Sequence, residues 1–160
     1  MPQYIREQSV EERLAVLEDQ LAQLRRSGRR ADELAMHPTN FRGLNYDDST
    51  AYTTVWETTF TPRSASLNLG LMFIGDVVSA VNTGGDWQVF VNTTDVIASG
   101  SVPATFSYVL PDLALDLSPY LAKADLRIDV RTRRTAGATT GGRNGSGGCI
   151  GSSIRYARMI

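Results

Sequence analysis

At 160 residues, with 42% hydrophobic and 21% charged side chains, the chain has room for one globular domain of about 100–150 residues and an appendage, not two full domains. Sixteen basic and 17 acidic side chains leave a formal net charge of −1, so global charge gives no reason to expect nucleic acid or an anionic membrane as a partner. The single cysteine, Cys149, excludes an intrachain disulfide and a cysteine-based zinc site, and the single histidine, His37, excludes His–His metal motifs and argues against a Ser–His–Asp triad.

The first eight residues, MPQYIREQ, lack the apolar core of a signal peptide. No apolar run approaches the roughly 20 residues that span a bilayer, so a soluble chain made in the cytosol, without membrane insertion, is expected.

Residues 9–28 carry the pattern of a short coiled-coil helix. Ser9 and Glu12 have the spacing of a capping box. Leu14 and Leu21 fall at heptad position a, and Val10, Leu17 and Leu24 at d. The stripe is narrow, without the extra e or g position of a helix lying on its own domain, so it predicts self-association. Arg13 falls at g and Glu18 at e, where the guanidinium of one strand can bond the carboxylate of the next. Arginines at the C-terminal end suit the helix dipole, and Gly28 is placed to end the helix. A rod of this length, about 27 Å, is marginal alone and needs support from contacts between the domains that follow.

Residues 29–50, with Pro38, Gly43 and the Asp47-Asp48 pair, lose the heptad and read as a linker or collar in which the two carboxylates are solvated. Beyond Thr50 the period becomes two. TAYTTVWETTF, SLNLGLMFI, DWQVFVN, LRIDVRTR and CIGSSIRYARMI read as strands. Leu67, Leu69, Leu71 and Phe73 share one face, as do Trp87, Val89 and Val91; Leu126, Ile128 and Val130 point inward, with Arg127, Asp129 and Arg131 outward. DLSPYLAKAD is placed to form one helical turn. Gly and Pro punctuate these runs, which predicts an antiparallel β-sandwich, jelly-roll-like, over residues 51–160. The Gly-rich AGATTGGRNGSGGC, residues 136–149, lacks the ending of a P-loop and reads as a long, flexible hairpin connection.

No spacing of acidic residues announces a general acid and base, so no catalytic residue, cofactor or metal ligand is expected and the chain is read as no enzyme. Trp56 and Trp87 are the candidates for a platform on which a glycan ring stacks. Both stand in alternating strands, where core burial is the commoner fate. The late arginines, among them Arg127, Arg131 and Arg155, fit acidic glycans, a solvated sheet face or salt bridges equally well.

Two resemblances add to this reading. RLAVLE, residues 13–18, resembles the trimerisation motif of short parallel coiled coils, which implies a homotrimer. SVEERLAVLEDQLAQLRR, DWQVFVNTTDVIASG and LDLSPYLAKADLRIDVRTR together resemble small minor tail or fibre proteins of phages infecting actinobacteria. That resemblance implies a structural virion protein of the tail or tail tip, assembled in the host cytoplasm. Residues 1–8 would then be an extended peptide docking on other tail or virion proteins, and the head would contact host-surface carbohydrate. A trimeric capsid decoration protein and a carbohydrate-binding module are the alternatives.

Overall fold

The computed structural model describes Leu14, Val16, Leu17, Glu18, Gln20 and residues 32–39, 46–142 and 147–160. The chain divides into two compact units, Met1–Ala31 and Asp32–Ile160. In the first, the five described residues are helical and exposed. The rest of the 9–28 heptad, including Val10, Arg13, Leu21 and Leu24, lies outside the described residues, as does the peptide 1–8.

The second unit is mostly β and antiparallel. In chain order its strands are β1 (Asp32–Glu33), β2 (His37–Pro38), β3 (Tyr46–Asp47), β4 (Thr53–Phe60), β5 (Ser66–Gly75), β6 (Val77–Val78), β7 (Val81–Asn82), β8 (Gly84–Val91), β9 (Asp95–Val102), β10 (Asp112–Asp116), β11 (Leu126–Ala136) and β12 (Ile150–Met159). One sheet runs β1-β12-β5-β10, with β3 also on β12; the other runs β2-β4-β11-β8-β9; β6 and β7 form a small hairpin. The predicted helical turn is a 3-10 turn at Ser118–Tyr120.

The period-two pattern sets the interior. Leu67, Leu69 and Leu71 are fully buried and Phe73 is 1% exposed, and they face Val89, Val91, Leu126, Ile128 and Val130 from the other sheet, all at 0%. These side chains form one continuous core. Fully burying an aliphatic or aromatic side chain stabilises by about 1.5–3 kcal/mol, so this double row is the main term holding the two sheets face to face.

Three expectations need correction. Segment 29–50 is not only a linker: β1, β2 and β3 lie within it and pair with β12 or β4. Asp47 is not a solvated linker residue either. It is 7% exposed, and its carboxylate accepts a hydrogen bond from the Thr132 hydroxyl at 3.0 Å and another from the Ser49 amide at 3.1 Å. The Gly-rich segment is not a hairpin connection, because β11 and β12 belong to different sheets and the chain crosses between them.

Asp129 refines a fourth. It shares the outer face with Glu57, its partner in the ladder, yet is fully buried. Arg127 donates to one carboxylate oxygen at 2.7 Å and Arg131 to the other at 3.0 Å. Arg127 also reaches Glu57 at 2.7 Å, and the Arg131 guanidinium lies 3.9 Å over the Phe90 ring. The late arginines that face this sheet are thus spent on its own charges; the bond to Asp129 raises the Arg127 pKa further.

Candidate functional site

Register along β12 gives the second unit two distinct ends. Asp32 pairs with Met159, whereas Asp47 pairs with Ile150. The strand between is extended at about 3.3 Å per residue, so those points are about 30 Å apart. The chain therefore joins the sandwich at one end, beside the links 61–65, 92–94 and 117–125. The links 76–83 and 103–111, with residues 137–142 and 147–149, gather at the other end, because β5 and β9 finish there and β8 and β12 begin there.

A partly buried polar knot fixes the base of this loop end. The Asp76 carboxylate accepts the Cys149 amide at 2.7 Å and the Thr83 hydroxyl at 2.9 Å through the same oxygen. The backbones of Asp76 and Cys149, and of Thr83 and Asp76, are bonded as well, at 3.0 and 2.9 Å. Gly148 is required here, since a Cβ on it would stand 1.9 Å from the Thr83 hydroxyl oxygen. On the other side of the loop, Arg134 donates to the Ala138 carbonyl, and the Gly148 amide donates to the same residue at 2.9 Å. The Gly-rich segment is thus anchored where it leaves β11 and where it meets β12. Burial, with Asp76, Asp48 and Asp47 nearby, pushes the Cys149 thiol up to about 11, so it stays protonated and unreactive at neutral pH.

Between these loops lies an open cleft of about 600 Å³, lined by Asp76, Val77, Val78, Ser79, Phe106, Gly141 and Gly142. Phe106 is 67% exposed, and Val77 and Val81 of the small hairpin are 43% and 46% exposed. That hairpin turns through Ser79 and Ala80, at φ 50° and 63°, a pair of left-handed positions that its type demands and that glycine or asparagine ordinarily fills.

Next to the cleft, the outer face of the first sheet is apolar over its loop-end half. Tyr108 and Leu110 alternate with Val109, which bonds Phe73 at 2.9 Å in both directions. They are 63% and 52% exposed. Tyr46, Met72, Ile74 and Tyr108, with Gly151, Ser152 and Ser153, line a depression of about 250 Å³. The other half of the same face is polar. Asp112 accepts from Arg155 at 2.9 Å and from the Tyr156 hydroxyl at 2.7 Å, which lowers the Asp112 pKa.

Neither tryptophan forms a surface platform. Trp87 is 5% exposed and stacked on Phe73, ring centroids 5.5 Å apart and 11° from parallel. Trp56 stands opposite buried Val130, so it also points inward, and its indole N–H donates to the Ser152 hydroxyl of the facing sheet at 3.0 Å. The exposed aromatics of the loop end are Phe106 and Tyr108, in PATFSYVLP. An alternation of large apolar residues outside any strong strand was the one available sign of them. Of the oligomerisation residues, Leu14 and Leu17 are 57% and 58% exposed, and Glu18 is exposed too.

Among the described residues no group of three or more His, Cys, Asp or Glu side chains is placed to hold a metal ion, and no helix is long and apolar enough to cross a membrane. No protein-family model matches the chain, and no curated protein matches it in sequence.

Proposed function

We propose that this protein is a structural, non-catalytic component of a phage virion, a homotrimer of the tail or tail tip. Its N-terminal helices gather three copies and its sandwiches form the outward-facing head. The observation that carries this reading is the placement of the two ends of the sandwich. The segment that would be gathered joins at Asp32, about 30 Å from the loops that bear the exposed Phe106, Val77 and Val81.

Three features support it. Leu14 and Leu17 are helical and expose apolar surface at the a and d positions, surface that a parallel three-strand seam would bury. The half-apolar sheet face around Met72, Ile74, Tyr108 and Leu110 is of the kind that would bring neighbouring heads together, the reinforcement a short coiled coil requires. The sheet orders β1-β12-β5-β10 and β4-β11-β8-β9 fit a jelly roll: of these eight strands only β8 and β9 are consecutive and paired, and every other link crosses between sheets.

A carbohydrate-binding module is the second reading, and the exposed Phe106 in the cleft favours it. Light scattering tests the assembly. The full chain should have close to three times the monomer mass, and Leu17→Asp with Leu21→Asp should reduce it to the monomer. A concentration-independent monomer, or a double variant of unchanged mass, rules the helix out as the organiser.

A further inference from the structure

We infer that the loop-end cleft binds a neutral hexopyranoside, with Phe106 as the stacking surface and the Asp76 carboxylate as the acceptor of its hydroxyls. The inference deepens the head's proposed contact with carbohydrate but does not depend on the number of copies.

The cleft volume of about 600 Å³ is within the range that encloses small ligands. Phe106 offers an accessible aromatic face, negative at its centre, to the polarised C–H bonds on the flat side of a pyranose ring. Phe106 is 67% exposed where it lines the cleft, and contact with a ligand would remove that apolar surface from water.

Asp76 supplies the polar element. One oxygen is held by the Cys149 amide and the Thr83 hydroxyl, so the carboxylate is fixed in orientation. Among the described residues nothing bonds its second oxygen, and the residue forms part of the cleft wall. An ionised acceptor makes stronger hydrogen bonds to hydroxyl donors than a neutral one does. Gly141, at φ 82°, and Gly142 complete the wall with bare peptide groups that can donate to or accept from the remaining hydroxyls.

Charge then selects among sugars. Among the described residues lining the cleft, the charged side chain is that of Asp76. A uronate, a sialate or a phosphorylated sugar would meet Asp76 as a like charge in a partly enclosed space. The site therefore suits neutral rings.

Saturation-transfer NMR and titration calorimetry on the full chain test this, using methyl β-D-glucopyranoside, methyl β-D-galactopyranoside and methyl α-D-mannopyranoside, with methyl β-D-glucuronide as the acidic counterpart. At least one neutral glycoside should bind, with a Kd on the order of 1 mM for a ligand of that size. The glucuronide should bind at least about tenfold more weakly. Phe106→Ala should abolish binding without moving the thermal midpoint, because the ring is exposed, and Trp56→Phe should leave binding unchanged. Absence of transfer to all three neutral glycosides, equal binding of the glucuronide, or full binding by Phe106→Ala overturns the inference. Mass measured on the same samples separates the two readings: a trimer that ignores sugars overturns only this one, and a monomer that binds them overturns only the assembly.

Discussion

Gly100 stands directly opposite Trp87 in the β8–β9 ladder, and its bare Cα lies against the face of the indole. A Cβ at position 100 would come within 2.5 Å of the indole Cζ2 and 2.8 Å of Nε1. Trp87 is in turn stacked on Phe73, so the absence of a side chain on an edge strand sets how an aromatic pair fills the space between the sheets. Gly100→Ala should therefore destabilise the fold by about 1–3 kcal/mol, the usual cost of overpacking a filled core. Urea unfolding followed by tryptophan fluorescence measures it, and an unchanged midpoint would show that the indole can move aside freely.

The β8–β9 turn predicts a gain instead. Asn92 and Thr93 sit at φ 50° and 67°, and the Thr94 amide reaches back to the Val91 carbonyl at 3.3 Å. The connection turns through two successive left-handed residues, a conformation that favours Asn-Gly, and a β-branched residue at the second of them is strained. Thr93→Gly removes that strain at some cost in unfolded-chain entropy. A net stabilisation of up to about 1 kcal/mol is expected, read as a higher urea midpoint with the same m-value.

Asp47 gives the fold a signed pH dependence. Burial raises its carboxyl pKa above the ordinary 3.8, against the lowering effect of the Ser49 amide and the Thr132 hydroxyl. The folded state therefore holds this proton more tightly than the unfolded chain. The group works against stability above its folded pKa, and this penalty fades as pH falls through that value toward 3.8. Asn in its place carries no charge, and its amide can serve both partners, since the Thr132 hydroxyl can turn to accept. Asp47→Asn should melt higher than the parent at pH 7, and the gap should close as pH falls toward 3.8. Asp112 and Asp116 act oppositely: their lowered pKa values contribute stability at neutral pH that is lost as pH falls through them. The comparison with Asp47→Asn cancels their effect.

Local patterning carried much of the fold. The rows Leu67–Leu69–Leu71–Phe73 and Leu126–Ile128–Val130 were legible because alternate side chains of an extended strand must share a face. By contrast the sequence of β9, DVIASGSV, carries no clear strand pattern. It is a largely exposed edge whose Ser and Gly residues blur the alternation, and its place depends on Trp87 across the ladder. For the two tryptophans, alternation favours core burial over a sugar platform without deciding it. Periodicity says that Trp56 and Trp87 occupy one face of their strands, but only the second sheet, through Ser152 and Phe73, makes that face the interior.

What the amino-acid order determined by itself was whatever depends on neighbours within a few residues: a heptad stripe, an abrupt change to period two, the turn at Ser118–Tyr120 and the positions of the breaks. Tertiary structure alone decided which strands share a sheet. It also brought Asp76 to Cys149 across 73 residues of chain, and set Phe106 in the same cleft as Gly141. The physical reason is range. Alternation encodes the side of a strand on which a residue lies, whereas the loop-end site is assembled from links far apart in the chain, by connections that cross between the two sheets.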